Sequence, residues 1–213
     1  MINNIIFDWN GTLMDDTLFT MNIENEMLAK RGMKTLTLEK YKEWFDFPVI
    51  NYYVKMGYDF TKEPYEKLSV EFMDMYLSRY KECPLVPGTA EMLKSLKNRG
   101  KKMVVLSASQ EDYLRRQIEN YGITDYFDEL LGLDDIHAVS KVERGRNWIA
   151  KSGLNPRETV MLGDSVHDYE TASGMGVRCV LTSTGHQSKE RLLKTGAPVV
   201  NSHREFLRLI DKM

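Results

Sequence analysis

The chain has 213 residues, 42% of them hydrophobic and 28% charged, enough to bury one good core with or without a modest second body. Its 29 Lys and Arg residues nearly balance 31 Asp and Glu residues, for a formal net charge of -2, and the basic side chains are scattered among acidic ones, which excludes the footprint of a nucleic-acid binder. Apolar runs such as Met103-Val104-Val105-Leu106 are far too short to span a bilayer, and a strand-like start leaves no room for a signal peptide. Cys83 and Cys179 have no metal-site spacing, so the expectation is a cytoplasmic protein with free thiols, away from membranes, working as a monomer or homodimer.

In chain order, the apolar run Ile5-Ile6-Phe7 reads as a buried strand that ends in Asp8, with Trp9-Asn10-Gly11-Thr12-Leu13 directly behind it. Residues 15–86 lack β-branched runs and are rich in Met, Tyr, Glu and Lys. Leu18, Met21, Asn25 and Leu28 mark one amphipathic helix closed by Gly32, and Tyr65, Leu68, Phe72, Met75 and Leu77 mark another that ends before Pro84 and Pro87. From Thr89 onward helix and strand alternate. A helix stopped by Gly100 precedes a strand over 102–106, and Ser109 with Asp112 reads as the capping box of the next helix. Strands near 129–131, 159–162, 176–181 and 198–200 alternate with helices over 140–152, 166–173, 188–194 and 203–210. Repeated βα units of this kind imply a parallel sheet covered by helices on both faces.

Val160-Met161-Leu162-Gly163-Asp164-Ser165-Val166-His167-Asp168 repeats the device of the first strand: an apolar run, then carboxylates at its carboxyl end. Open α/β sheets bind their ligands at that edge. Three carboxylates (Asp8, Asp164, Asp168) converging there would repel unless a cation lay among them, and hard oxygen donors suit Mg²⁺. Ser165 and Asp168 also fit a helix capping box, which explains Asp168 alone but leaves Asp164 unexplained. Lys141 follows Ser140 in the first turn of a helix, where a cation opposes the helix dipole, so an anionic partner is expected.

These two segments resemble the haloacid dehalogenase superfamily of aspartate-nucleophile hydrolases. The likeness covers essentially the whole chain, and Phe47-Pro48 with Met56-Gly57 follows the phosphoglycolate-phosphatase-like branch. The resemblance implies a Rossmann-like, three-layer α/β core formed by residues 1–14 and 87–213, with residues 15–86 inserted as a helical cap. It further implies an Mg²⁺-dependent phosphatase acting on a small phosphorylated metabolite through an aspartyl-phosphate on Asp8. In that scheme Ser107 and Lys141 bind the phosphoryl group. Asp8, Asp164, Asp168 and the main-chain carbonyl of Asn10 hold the metal.

Asn10 departs from the pattern, because phosphatases of this family carry there a second aspartate that protonates the leaving group and then activates water. An amide cannot shuttle a proton, and losing a general acid–base costs roughly 10²–10⁴-fold. On this reading an Asn10→Asp change restores alkyl phosphate turnover. Two alternatives stay open: a catalytically weakened protein that binds a phosphate ligand, or a phosphonate or carbon–halogen hydrolase. The dehalogenases need no metal, which the Asp164/Asp168 pair argues against. A phosphonatase needs a cap lysine, with Lys55 and Lys62 the nearest candidates. His167, His186 and His203 lack metal-ligand spacing, His167 alone adjoins the proposed site, and Trp9 reads as packing.

Overall fold

β1 (Asn4–Phe7) is buried along its whole length, and its alternating side chains serve both faces of one sheet. In the computed structural model, which describes residues 1–133 and 140–213, β1 pairs in parallel with β2 (Lys102–Gln110) on one side. It pairs in parallel with β4 (Thr159–Gly163) on the other. β3 (Glu129–Leu133) lies outside β2, and β5 (Arg178–Thr182) and β6 (Val199–Val200) lie outside β4, giving the order β3-β2-β1-β4-β5-β6. The order turns at β1, so a crevice opens beyond the carboxyl ends of β1 and β4, where ligands bind in such sheets.

Between β1 and β2 the chain forms α1 (Thr17–Lys30), α2 (Leu38–Trp44), α3 (Val49–Met56), α4 (Tyr65–Arg79) and α5 (Thr89–Asn98). Later come α6 (Glu111–Asn120), α7 (Lys141–Ser152), α8 (Val166–Met175), α9 (Lys189–Leu193) and α10 (His203–Ile210). The period-two alternation of the strands sorts the core into two layers. Ile5, Phe7, Met103 and Val105 pack with Leu93 and Leu96 of α5, Leu114 and Ile118 of α6 and Phe206 of α10. Ile6, Val104, Leu106 and Met161 face the other way, onto Ile149 of α7 and Ala172 and Met175 of α8. Each fully buried side chain of this size contributes about 1.5–3 kcal/mol by leaving water. The three-layer parallel architecture expected from the sequence is therefore the observed one.

Two local expectations are corrected. Ser109 does not cap a helix: β2 continues through it to Gln110, α6 begins at Glu111, and the Ser109 hydroxyl donates to Asn10 instead. On α1 Met21 and Leu28 of the expected face are buried, together with Thr17, Thr20, Ile23, Glu24 and Met27, while Leu18 is 54% exposed. Apolar spacing placed that face only in part because Glu24, a charged residue type, turns inward to accept a 2.5 Å hydrogen bond from the Tyr52 hydroxyl. Helices α1 to α4 share an aromatic interior, with Tyr41 and Tyr52 meeting edge to face at 6.0 Å. The two strands of chain that lead into and out of them are bridged at Met14 and Leu85. Asp15 N–H donates to Pro84 C=O and Val86 N–H to Leu13 C=O, which ties the two crossings into a narrow ribbon.

Candidate active site

Asp8 follows the last residue of β1, and its N–H donates to the Leu162 carbonyl of β4, which fixes the carboxyl at the crevice. Asp164 leaves β4 beside it, and Asp168 sits in the first turn of α8. One oxygen from each of these three buried carboxylates lies within 4.8 Å of the other two. Lys141, the first residue of α7, reaches into the cluster from the helix that packs beside α8 on the same face of the sheet. Its ammonium, 3% exposed, donates to Asp8 Oδ1 and, at 2.6 Å, to Asp168 Oδ1. The cation that opposes the α7 dipole thus has two carboxylates as its anionic partners.

Asp168 is held in place twice over. Its Oδ2 accepts from Ser165 N–H at 3.0 Å, Ser165 Oγ at 2.6 Å and Asp164 N–H at 3.1 Å, while Ser165 Oγ accepts from Asp168 N–H. This is the reciprocal capping box foreseen from the sequence. With Oδ1 on Lys141 and Oδ2 on three donors, Asp168 contributes charge and orientation, and both of its oxygens are already engaged. Burial alone would push its carboxyl up, but Lys141 and the Ser165 hydroxyl hold it below the usual range.

Asp8 and Asp164 are less well satisfied. Thr12 Oγ1 stands between them, 3.4 Å from Asp8 Oδ2 and 3.3 Å from Asp164 Oδ1, and a single hydroxyl proton can serve only one at a time. Burial pushes the Asp8 carboxyl up to about 8, with Lys141 pulling it down and Asp168 and Asp164 pushing it further up. Burial likewise raises Asp164, to about 6, against the pull of His186. Hard oxygens crowded together, two of them short of donors, are a chemically apt set for a small divalent cation.

His186 belongs to the site, contrary to the sequence reading that put only His167 beside it. Its N–H donates to Asp164 Oδ2 at 2.5 Å, Nε2 donates to Asp16 Oδ1 at 3.1 Å, and Nδ1 lies 2.6 Å from the Tyr41 hydroxyl of α2. Burial disfavours the imidazolium, yet Asp16 above all, then Asp164 and Asp8, raise His186 to about 9. The close approach depends on glycine at two points. A Cβ on Gly11, whose φ is +70°, or on Gly185 would overlap the Asp164 carboxylate. A sequence signal for this loop existed, since residues 183–187 follow β5, the next strand along the same edge.

Asn10 does not point its amide at the three carboxylates. Nδ2 donates to Asp16 Oδ2 at 2.7 Å and to the Tyr76 hydroxyl oxygen at 2.8 Å, and Oδ1 accepts from Ser109 Oγ at 3.1 Å. Ser107 is buried within the carboxyl-terminal half of β2, two residues past the Val105 that pairs with Phe7 of β1, and its Oγ accepts from Ser109 N–H at 3.1 Å. The remaining candidates add no ligand to the carboxylate cluster. His203 is buried between Thr89 and the Thr12 carbonyl, His167 stacks on Phe47, and Trp9 is fully buried with its indole N–H on Gln117. Lys55 and Lys62 are exposed and pair with Asp46 and Asp59, in no apolar pocket that would make either a nucleophile. Cys83 and Cys179 are unbridged. Among the described residues no helix is long and apolar enough to cross a membrane.

The phosphoglycolate phosphatase 1 of Pseudomonas aeruginosa is 25% identical over 98% of this chain and 79% of its own length. A 5'-nucleotidase of the same organism is 25% identical over 89% of this chain and 86% of its own. A haloacid dehalogenase-like hydrolase from Streptococcus pneumoniae superposes with a TM-score of 0.85 at 18% identity, covering 98% of both chains, which shows a shared fold. The family profile described as haloacid dehalogenase-like hydrolase matches residues 5–182, a span that runs from the second residue of β1 to the end of β5 and holds all four clustered side chains. The chain belongs to the haloacid dehalogenase-like hydrolases.

Proposed function

We propose that this protein is a phosphatase that hydrolyses a small phosphorylated metabolite through an aspartyl-phosphate on Asp8. The observation that carries the reading is the cluster itself: a buried carboxylate at the sheet's switch point, paired with Lys141 and flanked by two further carboxylates. Asp8, Asp164 and the Asn10 main-chain carbonyl would hold Mg²⁺, with Asp168 lending charge. When bound, the ion neutralises negative charge and orients a phosphoryl oxygen.

The chain's own residues supply the rest. An Asp8 oxygen attacks phosphorus while the ester oxygen departs with its electron pair, and water then splits the acyl phosphate to regenerate the carboxylate and release inorganic phosphate. Lys141 stays protonated throughout, its pKa pushed further up by Asp168 and Asp8 despite burial, and faces the charge that develops beside Asp8. Ser107 offers a hydroxyl at the same sheet edge. Helices α1 to α4 act as a cap over residues 1–14 and 87–213, and closing them excludes water and selects substrate. In support, α2 and the segment behind it rest directly on the core. Phe45 stacks on His186 at 4.8 Å, and Arg191 donates to the Glu43 carbonyl at 2.9 Å.

The relatives named phosphoglycolate phosphatase and 5'-nucleotidase suggest which substrates to try first, namely short phosphorylated acids and nucleoside monophosphates. A phosphate-release screen over such a panel, with Mg²⁺ and with chelator, tests the reading. Release that needs Mg²⁺ and is absent from Asp8→Asn supports it. Equal release in Asp8→Asn defeats it.

A further inference from the structure

Asp16 lies one turn beyond the nucleophile loop and is 1% exposed, yet its carboxylate accepts four hydrogen bonds. Oδ1 accepts from Gly11 N–H at 2.8 Å and from His186 Nε2 at 3.1 Å. Oδ2 accepts from Asn10 Nδ2 at 2.7 Å and from the Tyr76 hydroxyl of α4 at 2.7 Å. Burial would raise its carboxyl, but His186 and these donors hold it below the usual range. Both N–H bonds of the Asn10 amide are consumed here, one on Asp16 and the other on the Tyr76 oxygen. Only the side-chain oxygen Oδ1 of Asn10 is left to face the β2 side of the crevice, where it accepts from the Ser109 hydroxyl, and Ser109 N–H in turn donates to Ser107 Oγ.

We infer that Asp16 is a positioning residue for Asn10, and that positions 10 and 16 form an amide–carboxylate pair which accepts either order of the two groups but not two carboxylates. The physical reason is donor supply. An aspartate at position 10 brings no N–H, so its oxygens would face Asp16 Oδ2 and the Tyr76 oxygen across hydrogen-bond distance with one shared hydroxyl proton among them. Buried like charges at that range repel strongly, and buried acceptors left without donors are costly. With the groups exchanged, an asparagine at 16 still accepts from Gly11 and His186 through its oxygen and donates its N–H to the new carboxylate at 10. This alters the expectation drawn from the family pattern, in which a carboxylate at 10 alone restores proton transfer. In this chain such a carboxylate meets Asp16 first.

The catalytic half of the inference rests on the phosphatase reading, while the structural half does not, so the test has two readouts. Wild type, Asn10→Asp, Asp16→Asn and the exchanged double variant are unfolded by urea in metal-free buffer. Each single change should lower the folding equilibrium constant by roughly tenfold or more, and the double variant should recover at least tenfold of the combined loss. Losses that simply multiply would overturn the pairing. If Asn10→Asp does not fold, the double variant is compared with Asp16→Asn, where adding the aspartate must raise stability; a further loss overturns the inference. The second readout is p-nitrophenyl phosphate hydrolysis with Mg²⁺, in which Asn10→Asp should lose kcat with little change in KM and the double variant should regain it. Turnover in Asn10→Asp equal to or above wild type, with Asp16 intact, overturns the positioning role. A wild type that releases no phosphate would defeat the proposed function and leave the unfolding cycle to decide the pair.

Discussion

Replacing Lys141 by methionine isolates what the buried ammonium does. The side chain is 3% exposed between Asp8 and Asp168, which are themselves 9% and 2% exposed, so no solvent cation can substitute freely. Methionine matches the stem's length and volume but leaves two carboxylates facing each other. Removing one partner of a buried ion pair typically costs about 3–5 kcal/mol. For a domain of this size in urea, with a slope of roughly 2–3 kcal/mol per M, the midpoint should fall by about 1–2 M. Urea unfolding in metal-free buffer, followed by tryptophan fluorescence, reads this directly, because Trp9 is buried next to Asp8. With Mg²⁺ present, kcat for phosphate release should drop by about 10²–10³, the loss usual for a preorganised electrostatic group. Lys141→Arg should not rescue it, since a planar guanidinium cannot place one compact charge between both carboxylates. A midpoint unchanged within roughly 0.3 M, far below the cost of an unpaired buried charge, together with intact turnover, would refute the reasoning.

Asp8→Asn should abolish phosphate release while the metal-free protein melts no lower than wild type, because one of three crowded carboxylates is neutralised; circular dichroism melts and a phosphate assay check both. Glu24 is raised by burial to about 8 from 4.5, so between those values the folded state holds a proton that the unfolded chain has lost. Stability from this group is full below pH 4.5 and declines as pH rises towards 8, by at most about 1.4 kcal/mol per pH unit. Glu24→Gln should remove that decline and be the more stable protein at pH 8, which urea midpoints measured from pH 5 to 8 would show. Because position 10 carries an amide in place of a general acid, poor leaving groups should suffer most. Aryl phosphates should turn over faster than alkyl phosphates by roughly 10²–10⁴, the span of a missing general acid. Equal rates would indicate another proton donor.

The parts of the site readable in advance were those whose cause is local. Asp8 and Asp164 each end an apolar strand, and the parallel sheet brings strand ends to one edge, so their meeting follows from pattern and topology together. Lys141 was readable as an electrostatic anomaly in a helix's first turn, and Ser165 with Asp168 as a capping box. The layers of the sheet followed from strict alternation, as Ile5 and Phe7 against Ile6 illustrate. What escaped depends on contacts between distant residues. Asp16 meets His186 across 170 positions and Tyr76 across 60, and no local pattern encodes either. The inward Glu24 defeats an apolar-face reading for the same reason, its partner Tyr52 lying two helices away. Ser109 looked like a cap because Asp112 follows it at the right spacing. Pairing of Gln110 with Leu133 keeps β2 extended past that point, so the hydroxyl is turned to Asn10 instead.

The most direct test of the central claim is to catch the phosphoryl group on Asp8. Wild-type protein mixed with p-nitrophenyl phosphate and Mg²⁺, quenched in acid and digested, should yield the peptide containing Asp8 with the mass of one added phosphoryl group. Because Asn10 offers no carboxylate to activate water, that acyl phosphate should accumulate during turnover. The label should be absent without Mg²⁺ and absent from Asp8→Asn. Turnover with no phosphorylated Asp8 peptide at any quench time, or a label that survives Asp8→Asn, would contradict the account.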